Sequence, residues 1–139
     1  MSAYTSRSSL AAYRSVAAHG GVAAADPHQL IVMLMDGVLE SVAAARGAIE
    51  HGSGETKARL LHRAVAIVDE LRASLNLAAG GEIAANLEQL YMFVNGELTK
   101  ANATGQKKPL EDAIKIFETL YSGWVEAVEK MKREESVNK

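Results

Sequence analysis

Four blocks of apolar residues at three- and four-residue spacing, each cut off by glycine or proline, commit this chain to helices. Residues at i, i+3, i+4 and i+7 share one side of an α-helix, so each block builds one apolar stripe. The first block opens at Asp26-Pro27. Asp26 suits the N-cap, Pro27 the first helical position and Gln29 the capping-box place, which together satisfy backbone N–H groups that lack partners at a helix start. Ile31, Leu34, Val38, Val42 and Ile49 follow as a core stripe, with Leu30, Met33 and Gly37 along a second apolar edge. His51-Gly52-Ser53-Gly54 closes it.

The second block is predicted from Glu55 to Ala78. Leu61, Val65, Val68, Leu71 and Leu75 form its stripe, and Leu60, Ala64 and Ile67 widen it. Arg59, Arg63, Asp69 and Glu70 read as its solvated side. Ala79-Gly80-Gly81 breaks the helix, because glycine readily takes the left-handed cap conformation. Ile83, Leu87, Leu90, Val94 and Leu98 carry the third block to about Ala103, and Tyr91, Met92 and Phe93 make it apolar on more than one side. A turn at 104–109 leads to the fourth block, with Ala113, Ile114, Phe117, Leu120, Tyr121, Trp124, Val128 and Met131.

Helices of roughly 24 residues are about 36 Å long at the helical rise. Short turns make sequential neighbours antiparallel, so the expected fold is all-α, an antiparallel up-down-up-down four-helix bundle. A chain of 139 residues holds one such core. The Ser-, Ala- and Gly-rich stretch 1–25 is expected to be a flexible N-terminal segment, with Leu10, Tyr13 and Val16 as one short amphipathic stripe. The bundle is predicted over 26–133 and a frayed tail over 134–139.

Several chemistries lack their residues. A net charge of -2 provides no positive field for a nucleic-acid backbone. Cysteine is absent, so no disulfide frame or thiolate metal site is expected. No apolar run reaches the length of a membrane span, and the N-terminus has no basic cluster before an apolar block, so a cytoplasmic (cytosolic) protein without membrane insertion is expected. His19, His28, His51 and His62 are isolated from one another, and no Glu-x-x-His pair occurs. Gly80-Gly81 leads into Glu82, which would repel a phosphate at that helix start. The serines lack a nucleophile setting. No catalytic residue, metal ligand or cofactor is expected.

The apolar surplus on the first and third helices suggests a partner, and could serve a homodimer, a partner helix or simply a thick core. Stripe width selects Leu30 and Met33 on the first helix, Leu60 and Ile67 on the second, and Tyr91 and Phe93 on the third as a binding groove. Two other readings fit the residues. One is a bundle that dimerises or acts as an adaptor through its spare stripes. The other is a histidine phosphotransfer domain using His62, the mid-helix histidine, although no glycine follows it to admit a response partner.

Asp26-Pro27-His28-Gln29-Leu30-Ile31, Met33-Leu34-Met35-Asp36-Gly37, Gly81-Glu82-Ile83-Ala84-Ala85-Asn86-Leu87, Leu90-Tyr91 and Ala101-Asn102 resemble, in order, the FliS family of flagellar secretion chaperones. Ala12-Tyr13 and Trp124 fall in matching places, so the likeness runs from about Tyr13 to Val128. The resemblance implies a cytoplasmic export chaperone that holds the disordered C-terminal segment of flagellin and prevents filament assembly before type III secretion. It also implies that Leu10 and Tyr13 form a lid over the groove. Other flagellar export or regulatory proteins are further partners in this reading, and the protein is a monomer or homodimer. One departure is Asn95-Gly96-Glu97, where the family often has basic residues.

Overall fold

The computed structural model describes residues 27–137. They form four helices: α1 (Pro27–Glu50), α2 (Gly54–Ala73), α3 (Leu77–Thr104) and α4 (Lys108–Val137). Among the described residues there is no strand. The N-cap expected at Asp26 lies outside them.

The turns work as glycine requires. Gly52 sits at φ 72° and closes α1 with its N–H on the Ile49 carbonyl at 3.1 Å. Gly105 at φ 70° ends α3 with its N–H on the Ala101 carbonyl at 2.8 Å. Such left-handed residues satisfy carbonyls that a helix end leaves open.

Two helix boundaries differ from expectation. α2 stops at Ala73 instead of Ala78. The Ser74 hydroxyl donates to the Leu71 carbonyl at 2.7 Å, and the Leu75 N–H turns back to the Arg72 carbonyl at 3.2 Å. Serine competes with the helix for its own backbone groups and ends it there. The glycine pair therefore lies inside the next element, where Gly81 at φ 54°, ψ -130° kinks α3. At the other end α4 continues helically to Val137, with its last turns exposed.

Each helix packs on two neighbours around a ring, α1 on α2 and α4, and α3 on the same two. Polar pairs fix the register. Along α2 and α3, Lys57 donates to the Asn102 carbonyl at 2.9 Å, Asn95 Nδ2 donates to Asp69 at 2.8 Å, and Arg72 meets Glu88 at 3.8 Å. Ascending positions on α2 meet descending positions on α3. Between α1 and α4, Arg46 faces Glu111 at 3.5 Å.

The core is built from Leu34, Met35, Val38 and Val42 of α1 and Leu61, Ile67, Val68 and Leu71 of α2. Val94 and Leu98 of α3, with Leu110 and Phe117 of α4, complete it. Each such side chain contributes about 1.5–3 kcal/mol by leaving water. Because every helix has two neighbours, its buried arc is wider than one stripe. Met35 therefore joins the core, and Glu70, expected in solvent, is buried beside Leu71. Ile83, which falls at helical spacing with Leu87, Val94 and Leu98, is 74% exposed. It follows the kink at an end of the bundle where α2 has already stopped.

Candidate functional site: an apolar cavity at one end of the bundle

Where α1 begins and α2 ends, the ring of helices does not close. A cavity of about 420 Å³ opens there. The first turns of α1 supply Pro27, His28, Leu30, Ile31 and Leu34. The link after α2 supplies Ser74, Leu75 and Asn76. The kinked start of α3 supplies Gly80, Ile83, Ala84, Leu87 and Tyr91, and Trp124 of α4 closes the remaining side.

The shape follows from the sequence. Early termination of α2 at Ser74 removes a wall, and the kink at Gly81 redirects the start of α3. Gly80 is packed so closely that an added Cβ would lie 2.6 Å from that of Ala84. Trp124 is held by its indole N–H, which donates to the His28 carbonyl at 3.1 Å, while the two rings lie 5.9 Å apart and tilted by 46°.

No lining residue is an acid, a lysine or an arginine. Tyr91 is 3% exposed, and burial pushes its hydroxyl up to about 12, so it stays neutral at ordinary pH. One turn before Trp124 on α4, a hydrogen bond from Tyr121 to Asp36 raises the Tyr121 hydroxyl above its usual range. An open cleft lined mostly by apolar side chains suits the apolar side of a peptide helix. Among the described residues, no three His, Cys, Asp or Glu side chains converge as metal ligands would. No described helix is long and apolar enough to cross a membrane.

A family model described as "Flagellar protein FliS" matches residues 9–131. The chain belongs to the FliS family. Among FliS relatives, the "Flagellar secretion chaperone FliS" of Vibrio cholerae is 36% identical over 118 residues, covering 85% of this chain and 87% of that protein. The "Flagellar secretion chaperone FliSB" of Pseudomonas aeruginosa is 37% identical over 112 residues, covering 81% and 89%. The "Flagellar secretion chaperone FliS" of Salmonella typhimurium is 34% identical over 130 residues, covering 93% and 96%.

On this FliS scaffold the residues selected by stripe width separate. Leu30 and Tyr91 meet in the cavity. Met33 is half-buried away from it, and Leu60 is half-buried against the core. Ile67 is 1% exposed and enclosed by the core. Phe93 is 45% exposed on the opposite side of α3 from Tyr91, because two residues along a helix turn it by about 200°. Leu10 and Tyr13 lie outside the described residues. His62 is exposed on α2, its Nε2 3.3 Å from the Asn102 side-chain nitrogen. Ile31, Ile83, Ala84, Leu87 and Trp124 also line the cavity, though their spacing marks them only as core or helix positions. The signal for them is position, since all lie level with a helix start or break.

Proposed function

We propose that this protein is a flagellar export chaperone that binds the C-terminal segment of flagellin in the cytosol and delays its polymerisation until secretion. The observation that carries this reading is the largely apolar cavity, without an acid, lysine or arginine in its lining, at the open end of the bundle in a chain of the FliS family. The flagellin segment lays an apolar helical face into that cleft, as in helix-in-groove recognition. Ordering the client costs at least about 2–5 kcal/mol. Each anchor that becomes buried returns about 1.5–3 kcal/mol, so several anchors are needed. Leu30, Ile31, Leu87 and Tyr91 provide the floor and Ile83 the rim. The action is binding without catalysis.

Pro27, the first described residue, lines the cavity. Leu10 and Tyr13 act as a lid from the N-terminal segment, and deletion of residues 1–20 raises the client's association rate.

Light scattering during assembly of purified flagellin tests the function. An equimolar amount of this protein lengthens the lag before filaments form. Filament growth unaffected by a folded excess of the protein would refute the chaperone reading.

A further inference from the structure

One polar group on the cavity wall has no work inside the protein. Tyr91 is 3% exposed, yet no described residue gives its hydroxyl a hydrogen bond. Burial is the whole cause of its raised pKa of about 12, whereas the Tyr121 hydroxyl donates to Asp36. The other polar groups of the lining are engaged. The Ser74 hydroxyl donates to the Leu71 carbonyl, the Trp124 indole to the His28 carbonyl, and Asn76 has a partner as well. Among the described residues, the side-chain atoms wholly enclosed without a partner are Ser41 Oγ and Asn95 Oδ1. The Tyr91 oxygen is not one of them, so it touches open space, and the open space that Tyr91 lines is the cavity. Solvent reaches the oxygen while the cavity is open. A purely apolar filler would strip that contact and leave the hydroxyl orphaned, at the full desolvation cost of the group.

We propose, resting on the chaperone reading above, that Tyr91 is the specificity-determining residue of the cavity: its hydroxyl donates a hydrogen bond to one neutral side-chain oxygen, of Asn, Gln, Ser or Thr, set within the apolar face of the client helix. The acceptor is neutral because no lysine or arginine lines the cavity to compensate a carboxylate. It belongs to a side chain because carbonyls within a helix already accept from N–H groups four residues on. The phenol is the donor, since it keeps its proton at any ordinary pH. A site built to bond a polar group rejects a ligand lacking that group strongly, because its own polar atom is then left unpaired. An apolar pocket discriminates far less between ligands that differ by one methylene. One hydroxyl thus sorts amphipathic helices that offer the same apolar area.

Tyr91→Phe keeps the ring and removes the oxygen. Because the hydroxyl bonds nothing in the free protein, the urea midpoint of the full-length variant at pH 8 is not lowered. Its calorimetric affinity for the C-terminal segment of flagellin falls about tenfold, the worth of one buried hydrogen bond. Each Asn, Gln, Ser and Thr of that segment is then replaced by Ala in turn. One replacement weakens binding to the unmodified protein about tenfold and leaves binding to Tyr91→Phe unchanged, the mark of a direct pair. Equal affinity in Tyr91→Phe and the unmodified protein, with Ile83→Asp still weakened, overturns the role of Tyr91 and leaves the chaperone reading standing. No binding by the unmodified protein overturns that reading and this inference with it. A loss in Tyr91→Phe matched by lower stability, or coupled to no polar side chain of the segment, assigns the effect to packing and overturns the inference too.

Discussion

The indole of Trp124 donates to the backbone carbonyl of His28 at 3.1 Å, across 96 residues of sequence. This bond ties α4 to the first turn of α1 and holds one wall of the apolar cavity. A helix start has few partners of its own, so a long-range anchor there determines how firmly the cavity's edge is held. Trp124→Phe keeps most of the aromatic surface and loses the donor. The expected cost is about 1 kcal/mol of stability, the net worth of one such hydrogen bond. Denaturant unfolding measures it, and an unchanged midpoint would show that the bond does not hold the helix start.

Ile83 offers the cleanest separation of binding from folding. Its side chain is 74% exposed at the cavity rim, so a charge there costs the fold little. Ile83→Asp is expected to weaken flagellin binding at least about tenfold, the loss of one partly buried aliphatic anchor plus desolvation of a carboxylate. Phe93→Asp, on the opposite face, leaves that affinity unchanged. Equal losses from both would place the client on the outside of α3.

Gly81 and Gly96 of α3 respond in opposite directions. Gly81 holds φ 54°, ψ -130°, a region closed to side chains, so Gly81→Ala costs about 1–3 kcal/mol. Gly96 has a helical backbone and open space around it, so Gly96→Ala stabilises the protomer by about 0.5–1 kcal/mol. Thermal unfolding at low protein concentration reads both changes. If both variants were destabilised alike, the kink would have no special role.

Tyr91 gives the fold an alkaline limit. The native hydroxyl titrates at about 12, against 10.0 for an ordinary tyrosine. Folding holds the proton, so the stabilisation is intact below pH 10 and is lost as pH rises through the native value. The loss amounts to at most about 2–3 kcal/mol. Urea unfolding at pH 8 and pH 11 compares the two regimes, and Tyr91→Phe is expected to flatten the difference. An equal slope in the variant would assign the alkaline loss to another group.

The helical periodicity of the chain is enough to reveal four helices, most of their core and the turns at Gly52 and Gly105. Helix ends and faces are where one-dimensional reasoning stops. Ser74 ends α2 through its own hydroxyl, five residues before the expected boundary, because a local hydrogen bond outweighs a continuing apolar pattern. Ile83 keeps the spacing of a core residue yet projects from the bundle end, since spacing cannot tell where neighbouring helices stop. Glu70 is buried because α2 packs on two neighbours at once. The cavity is made by these same end effects, so stripe width gathers Leu30 and Tyr91, which line it, together with Ile67 and Phe93, which face elsewhere.

The central claim is that the cavity receives the C-terminal segment of flagellin. Calorimetric titration of the full-length protein with that segment, at several temperatures, tests it most directly. One-to-one binding with a negative heat-capacity change, the mark of apolar burial, is expected, with a clear loss of affinity in Ile83→Asp. Absence of heat at every temperature, with the protein folded and at high micromolar concentration, or binding indifferent to Ile83, would contradict it.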